Sequence, residues 1–155
     1  QKKTLTDVQK ACVASEFVAS LHYWGSNGSV VFILGEYCGG GALVERIKPY
    51  FGIQHGEEFW RLAFQLAKGI ADIHHAGLTH MDVWAQNALL TEDGDVRYGH
   101  IGLQRAGDGD SRLAPSDARQ PDKVELGDRT GPESDIHSVT TLLYRMCTGE
   151  QQRPT

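Results

Sequence analysis

The clearest structural pattern in this sequence is a twenty-residue amphipathic segment, EEFWRLAFQLAKGIADIHHA at residues 57–76. Its apolar residues recur at helical spacing and form one stripe: Phe59, Leu62, Ala63, Leu66, Ile70 and Ile73. This spacing predicts a helix with one buried face, and Gly77 is a typical residue to end it. Because such a stripe must be buried against other elements, the flanking segments have to supply a core.

The segments before this helix show weaker patterns. Residues 4–15, TLTDVQKACVAS, have helical spacing and predict a first helix. Residues 17–24 and 29–37 are rich in aromatic and branched side chains, and GSNGS at 25–29 separates them, which predicts a β-hairpin. The glycines of CGGGA are interpreted as a flexible linker, since no phosphate-loop motif completes them. ALVERIKPYF then predicts a short helix.

The segments after the long helix predict a second hairpin and a last helix. ALLT at 88–91 and DVRYG at 95–99 flank the turn sequence EDG. Residues 104–133 are rich in Asp, Gly, Pro and Arg and predict a long surface loop. A helix should then begin at the N-cap Ser134 and stop at Gly149. Its expected apolar stripe is Ile136, Val139, Leu142, Leu143 and Met146.

Composition narrows the classes of protein and partner. A chain of 155 residues is long enough for one domain with a hydrophobic core. Its net charge of -5 argues against a nucleic-acid partner. No run of about eighteen apolar residues occurs, so no membrane span is expected. Three cysteines far apart in sequence are expected to be reduced thiols, which favours the nucleus or cytoplasm. The seven histidines show no zinc-ligand spacing.

The polar loop after the long helix contains the residues most suited to chemistry. HMDVWAQN places Asp82 and Asn87 five residues apart. Phosphoryl transfer needs a carboxylate that orients the attacking hydroxyl and oxygen ligands that hold Mg²⁺ on the phosphates. Asp82 and Asn87 could supply one of each. Taken alone, such a pair is more often two residues that cap a loop.

Several motifs, in the right order, resemble those of protein kinases. HMDVWAQN resembles the kinase catalytic loop, FILGEYCGGGAL the hinge, and SDIHSVTTLLYRMCTGE the helix that anchors the large lobe. HIG stands where D-F-G belongs, and LAPS where A-P-E belongs. Within kinases, EYCGGGAL, HMD and GDSRLAPSD are similar to the Wee-type cell-cycle kinases, which phosphorylate cyclin-dependent kinases.

The resemblance implies a protein-kinase-like α+β fold in two parts. A partial small lobe would span 1–38 and end in the hinge. A partial large lobe would span 39–155 and carry the catalytic loop at 80–87. The activation segment would follow at 100–117, and the anchor helix would span 134–148.

The resemblance also assigns the phosphate side of a site for ATP and Mg²⁺. Asp82 falls on the catalytic base and Asn87 on a metal ligand. His100 stands where the second metal ligand, an Asp, belongs. A neutral imidazole can ligate a metal but suits softer ions than Mg²⁺. His100 is therefore either a metal ligand or a relic loop residue that no longer binds a metal. His80 would be a packing residue that supports the loop.

The same resemblance assigns the adenine side of the site. Leu89 would lie under the adenine, and Glu36 and Cys38 would offer backbone hydrogen bonds at the hinge. Asp135 would hold the catalytic-loop backbone from below. Gly35 falls on the gatekeeper position, where most kinases carry a larger side chain, so the adenine pocket is expected to be open at the back.

The departures from the family pattern leave two functions open. Trp84 replaces the catalytic-loop Lys and either covers a partner surface or fills space. Ser116 replaces the A-P-E Glu, and Asp7 stands in place of the Glu that pairs with the nucleotide-binding Lys. The 155 residues contain no G-x-G-x-x-G loop and no V-A-I-K strand. One hypothesis is a Wee-type kinase acting on a protein such as a cyclin-dependent kinase, with the missing strands supplied from outside these residues. The other is a pseudokinase fragment that binds a partner.

Overall fold

The computed structural model describes residues 15–27, 30–53, 56–99, 101 and 131–150. Its elements, in chain order, are β1 (Leu21–Ser26), β2 (Val31–Gly35), a short 3₁₀ helix (Leu43–Glu45), α1 (Gly56–His75), β3 (Ala88–Leu90), β4 (Val96–Tyr98) and α2 (Pro132–Thr148). Two antiparallel hairpins and two long helices make the predicted α+β architecture. No helix in these ranges is long and apolar enough to cross a membrane.

The long helix α1 forms the centre of the core. Its stripe is buried as predicted at Leu62, Leu66, Ile70 and Ile73, and the helix packs against α2 and β4. The end of α1 is also as predicted. Gly77, at a φ of 66°, donates its N–H to the His74 carbonyl, and the next amide, that of Leu78, bonds to Ile73. This pair of bonds satisfies the last carbonyls of the helix.

The last helix, α2, differs from its prediction at the N-terminus. It begins at Pro132, and the predicted N-cap Ser134 lies inside the first turn with its N–H bonded to the carbonyl of Gly131. Proline suits the first position of a helix because its φ is already helical and its missing N–H is not needed there. The predicted stripe is also shifted, since Ile136 is exposed and Asp135 takes the buried position in its place.

The hairpin of β1 and β2 is as predicted, with strand ends shifted by a few residues. Tyr23 pairs with Leu34 and Trp24 with Ile33 in an antiparallel register. These four side chains are exposed among the described residues, on both faces of the hairpin. A two-stranded hairpin is only marginally stable by itself, so its attachment to the rest of the chain matters.

Each edge of the second hairpin, β3 and β4, is hydrogen-bonded to another chain segment. On the β4 side, the Ala19 amide donates to the Tyr98 carbonyl and the Tyr98 amide donates to the Phe17 carbonyl, both at 2.9 Å. On the β3 side, the Leu90 amide donates to the Gly41 carbonyl at 2.8 Å. The short strands therefore lie in the middle of a four-segment layer.

The glycines at 39–41 are not a flexible linker. The Gly40 amide donates to the Leu90 carbonyl at 2.8 Å, and a Cβ on Gly40 would lie 2.2 Å from the Thr91 carbonyl oxygen. The segment needs glycine because its backbone runs too close to β3 for a side chain. After it, the predicted short helix is reduced to the single 3₁₀ turn Leu43–Glu45.

Three predictions fall outside the described residues. They are the first helix at 4–15, apart from Ser15, the loop at 104–133 up to residue 130, and the activation segment at 100–117, apart from Ile101.

Candidate active site

The loop at 80–87 joins α1 to β3, and the carboxylate of Asp135 on α2 holds its backbone in place. Asp135 is 1% exposed and accepts the backbone N–H groups of His80 and Met81, both at 2.8 Å. The Nε2 atom of His74 lies 2.9 Å from the same carboxylate. Met81 adopts a φ of 71°, which is costly for a residue with a side chain. The two charge-assisted bonds from Asp135 stabilise this backbone shape.

His80 supports the same loop from within the core. Its ring is buried and packs edge-on against Tyr98, with ring centroids 5.2 Å apart. Its Nδ1 accepts the backbone N–H of Asp82 at 3.3 Å. In the neutral ring the proton therefore lies on Nε2. The packing position expected for His80 is the one the structure gives it.

The structure brings Asp82 and Asn87 together. The Asn87 side-chain amide donates from Nδ2 to the Asp82 carbonyl oxygen at 2.9 Å and to its carboxylate Oδ2 at 2.7 Å. Asn87 is buried and Asp82 is partly exposed. The amide thus orients the carboxylate at the surface of the loop. Because Nδ2 makes both bonds, Oδ1 is the Asn87 atom suited to ligate Mg²⁺.

Glu36, just after β2, is bonded both to the segment before β1 and to β4. Its backbone N–H donates to the Ser20 carbonyl at 2.8 Å, and its Oε2 accepts the Ser20 amide at 3.0 Å. Its Oε1 lies 3.2 Å from Nε of Arg97 on β4. With its N–H occupied, the backbone atom that Glu36 can offer to a base is its carbonyl oxygen.

Leu89 and Cys38 lie close to Arg97 and Glu36. Leu89 is half-buried and pairs with Arg97 across the β3–β4 ladder, on the face away from the core. Burial raises the pKa of the Cys38 thiol, and the charge of Glu36 raises it further, against a smaller opposing effect of Arg97. Cys38 is therefore a neutral thiol at neutral pH.

Trp84 occupies the loop beside Asp82 in place of a lysine. The side chain is partly exposed, but its indole nitrogen is buried, and no described residue accepts a hydrogen bond from it. Since an indole carries no positive charge, this position offers no cation to a phosphate.

The metal side of the site is incomplete in the described ranges. His100 lies outside them, so neither the relic nor the ligand hypothesis is resolved. Among the described residues, no three His, Cys, Asp or Glu side chains come close enough to hold a metal ion. A Mg²⁺ ion with Asn87 as a ligand would depend on nucleotide phosphates for further oxygens, as protein Mg²⁺ sites commonly do.

Sequence reasoning missed several residues that build the site. No local pattern in the sequence gives a structural role to His74, Arg97 or Gln65. Gln65 accepts the Val96 N–H at 2.9 Å from its place on α1 and so fixes β4. Burial raises the pKa of Tyr98, whose hydroxyl donates to the α1 backbone at 3.2 Å. In the sequence, only Asp135 indicated that such residues exist, since a carboxylate within an apolar helix face needs hydrogen-bond donors from other elements.

Comparison with known proteins agrees with this geometry. The sequence matches the family described as "Protein kinase domain" over residues 6–154. It is 38% identical to serine/threonine-protein kinase PknL of Mycobacterium tuberculosis over 87 residues, 52% of this chain and 22% of that protein. It is 31% identical to serine/threonine-protein kinase Nek5 of Mus musculus over 124 residues, 76% of this chain and 20% of that protein.

A further relative is serine/threonine-protein kinase grp of Drosophila melanogaster. The identity there is 38% over 86 residues, which cover 54% of this chain and 16% of that protein. The matched regions therefore span about a fifth of the length of these curated relatives.

Proposed function

The chain belongs to the protein kinase family, and we propose that it is a kinase domain of Wee type that binds ATP and Mg²⁺ but transfers phosphate poorly. The observation that carries this proposal is the Asp82–Asn87 pair, joined at 2.7 Å in a loop fixed by Asp135. The Wee-type assignment is supported by the sequences EYCGGGAL, HMD and GDSRLAPSD. The curated relatives support the broader class, serine/threonine kinases.

In this proposal Asp82 orients and deprotonates the hydroxyl of a protein substrate. A carboxylate is suited to this role when its position is fixed before the substrate arrives. Asn87 supplies that fixation through Nδ2 and offers Oδ1 to the metal. When bound, Mg²⁺ would neutralise charge on the phosphates.

The adenine of ATP would lie on Leu89 and bond to the hinge backbone. The Glu36 carbonyl would accept from the base, and the Cys38 amide would donate to it. The Glu36 contacts with Ser20 and Arg97 hold this part of the hinge in place before any ligand binds. Such preorganisation lowers the entropic cost of binding.

Two substitutions limit the chemistry. Trp84 removes a cation near the transferring phosphate, and His100 removes a carboxylate from the metal. The loss of one preorganised charged contact typically costs about 10²–10³ in rate. Two such losses need not add, but no described residue replaces either charge. We expect ATP binding to survive better than phosphate transfer.

A second function, a pseudokinase module that binds a regulatory protein, is favoured by Trp84. A large aromatic side chain in place of the lysine suits contact with a protein better than contact with a phosphate. In either case the partner we propose is a protein, such as a cyclin-dependent kinase, in the nucleus or cytoplasm.

Thermal unfolding with and without ATP tests the nucleotide site. A ligand that binds only the folded state raises its stability by mass action. We expect ATP with Mg²⁺ or Mn²⁺ to raise the Tm, and Asp82→Asn or Asn87→Ala to reduce this rise. Gln86→Ala, an exposed position in the same loop, is the matched control. No rise at millimolar ATP would reject nucleotide binding and leave the pseudokinase module.

Phosphate transfer to a cyclin-dependent kinase is then measured separately. Transfer that is detectable, weak and lost in Asp82→Asn would support an impaired kinase. If Trp84→Lys increased the rate, the missing cation would be identified as a cause of the impairment. Transfer at rates typical of kinases would contradict the impairment.

A further inference from the structure

The turn at 48–52, between the 3₁₀ helix and α1, displays two large aromatic side chains that the kinase site does not use. Tyr50 is 86% exposed and Phe51 is 67% exposed, although large aromatic side chains are usually well buried. Pro49, the residue before them, is exposed as well. The turn therefore presents a compact apolar surface to solvent.

The backbone of Tyr50 has a conformation that is unfavourable for this residue. Its φ is 65°, in the left-handed region that bulky residues rarely adopt. Two bonds between Lys48 and Gly52 close the turn around it, since each amide donates to the other residue's carbonyl, at 3.1 and 2.9 Å. Glycine would adopt this conformation without strain. Strain of this kind is commonly found at ligand-binding sites, so it indicates a use for the Tyr50 side chain.

The turn is anchored to the C-terminal end of α2. The Tyr50 amide donates to the Gly149 carbonyl at 3.4 Å, and the Ile53 amide donates to the Met146 carbonyl at 2.7 Å. Gly52 is buried, and a Cβ on it would lie 2.2 Å from the same Met146 carbonyl oxygen. The backbone that carries the two rings is therefore fixed before any partner arrives, which lowers the entropic cost of binding.

Two cations next to the aromatic pair indicate the charge of a partner. Arg46 and Lys48 are exposed, and within the described part of the chain neither forms an ion pair. The neighbouring carboxylates are bonded to other groups. Glu45 accepts the backbone N–H at the start of its own 3₁₀ helix, and Glu150 accepts the Tyr144 hydroxyl at 2.8 Å. A surface with unpaired positive charge is complementary to an acidic partner.

We propose that residues 46–51 form a docking surface for an acidic segment of a partner protein that also carries apolar side chains. The apolar side chains would cover Tyr50 and Phe51, and the carboxylates would lie near Arg46 and Lys48. Aromatic residues commonly contribute most of the binding energy of an interface. This proposal does not rest on phosphate transfer, since none of these residues belongs to the nucleotide site.

The size and charge of the surface limit its affinity and its partner. Two aromatic side chains of about 150–250 Å² each give an interface at the small end of the known range. We therefore expect weak binding, with a Kd of roughly 10–100 µM. Single-stranded nucleic acid also stacks on aromatic rings, but the net charge of -5 disfavours a long polyanion.

An array of synthetic peptides tests the charge and the apolar character of the partner. Its peptides carry leucine or phenylalanine at varied spacing among glutamates. Matched sets replace the glutamates by lysines or the apolar residues by serines. The chain should bind members of the first set, and each matched peptide should bind about tenfold more weakly or less. Fluorescence anisotropy on the best members gives the Kd.

Substitutions in the turn test whether these residues form the surface. Tyr50→Gly should weaken peptide binding about tenfold or more, while leaving the Tm unchanged or higher because the strain is relieved. Phe51→Ser, at a position without a positive φ, is an independent second variant. Lys48→Glu should weaken binding about threefold or more. Phe64→Ala, on α1, removes an aromatic side chain that is 65% exposed and should leave binding unchanged.

Three results would overturn the proposal. The first is an array in which no acidic peptide binds better than its lysine counterpart. The second is peptide binding that both Tyr50→Gly and Phe51→Ser leave unchanged, or that Phe64→Ala reduces as much as they do. The third is stronger binding of a single-stranded oligonucleotide than of any acidic peptide, with loss in the same two variants, which would make the turn a nucleic-acid site.

Discussion

At the scale of single residues, Asp135 decides whether the candidate site keeps its shape. Its carboxylate accepts two backbone N–H groups from the loop and contacts His74, while being 1% exposed. A buried carboxylate would be very unfavourable without such donors. Asp82 and Asn87 belong to the loop that these bonds fix, so the geometry of the site depends on a residue about fifty positions away.

Asp135→Ala should destabilise the fold by about 3 kcal/mol or more, because each buried donor left without a partner costs about 1–3 kcal/mol. Urea-induced unfolding measures this value. Glu133→Ala, on the exposed face of the same helix, should cost less than about 0.5 kcal/mol. A loss below about 1 kcal/mol for Asp135→Ala would show that water or another group can replace the carboxylate.

Asp95 makes stability depend on pH in the acid range. A hydrogen bond from Gln65, and then one from Arg61, lowers the pKa of this carboxyl against the opposing effect of burial. A lowered pKa means that the contribution is complete above the unfolded-state value of about 3.9 and is lost as the pH falls through the lower folded-state value. Asp95→Asn should therefore lower the Tm at pH 6 but not at pH 2. A Tm difference that is constant with pH would contradict this.

At the scale of elements, two glycines with positive φ differ in how closely the rest of the chain packs against them. Gly149 ends α2 with a φ of 71°, which favours glycine in any context. Its backbone also lies against the segment from Lys48 to Gly52, where a Cβ would come within 2.3 Å of the Lys48 carbonyl oxygen. Gly94, in the β3–β4 turn, has a φ of 81°, but among the described residues a Cβ there would approach only the end of Arg61, at 3.4 Å.

These two glycines form a matched pair for a test. Gly94→Ala should cost about 1 kcal/mol, the usual penalty of a left-handed conformation. Gly149→Ala should cost at least about 2 kcal/mol more, because backbone atoms cannot move aside as a side chain can. Chemical denaturation of both variants gives the comparison, and equal losses would mean that the Lys48 segment adapts easily.

At the scale of the whole molecule, the hairpin β1–β2 is connected to the rest of the described structure by the segment before β1 and the segment after β2. Ser20, Glu36 and Arg97 connect the three chain segments that meet there. Gly35 lies at the same junction, and a Cβ built on it would meet only Ser20 O, at 3.3 Å, among the described residues. That contact is tight on the Ser20 side, and the open adenine pocket expected from the gatekeeper resemblance stays a prediction.

An adenine nucleotide with a bulky substituent on N6 should raise the Tm at least as much as ATP does. Gly35→Met should remove this preference while leaving the response to ATP itself, since only the added volume conflicts with the larger base. Thermal unfolding with both nucleotides measures the difference. If the bulky analogue bound more weakly than ATP to the unaltered chain, the pocket would not be open at the back.

Sequence patterns alone were sufficient to predict the two long helices, both hairpins, the stop residues Gly77 and Gly149 and the order of the kinase motifs. These follow from periodicity and turn residues, which act over a few neighbouring positions. The roles of Asp82, Asn87, Glu36, Cys38 and Leu89 remain predictions, although the structure places Asn87 on Asp82 and Glu36 beside Arg97.

The residues that hold these elements together are evident only from the folded structure. His74 and Asp135 are 61 positions apart, as are Glu36 and Arg97. No local pattern reports such pairs, so the apolar stripe of α2 was expected to include Ile136 rather than Asp135. For the same reason, the flexible-linker interpretation of the glycines at 39–41 is wrong, and the exposure of Trp60 could not be predicted. A backbone contact with β3 and the lack of cover on one helix face are properties of packing, which depends on where distant segments lie.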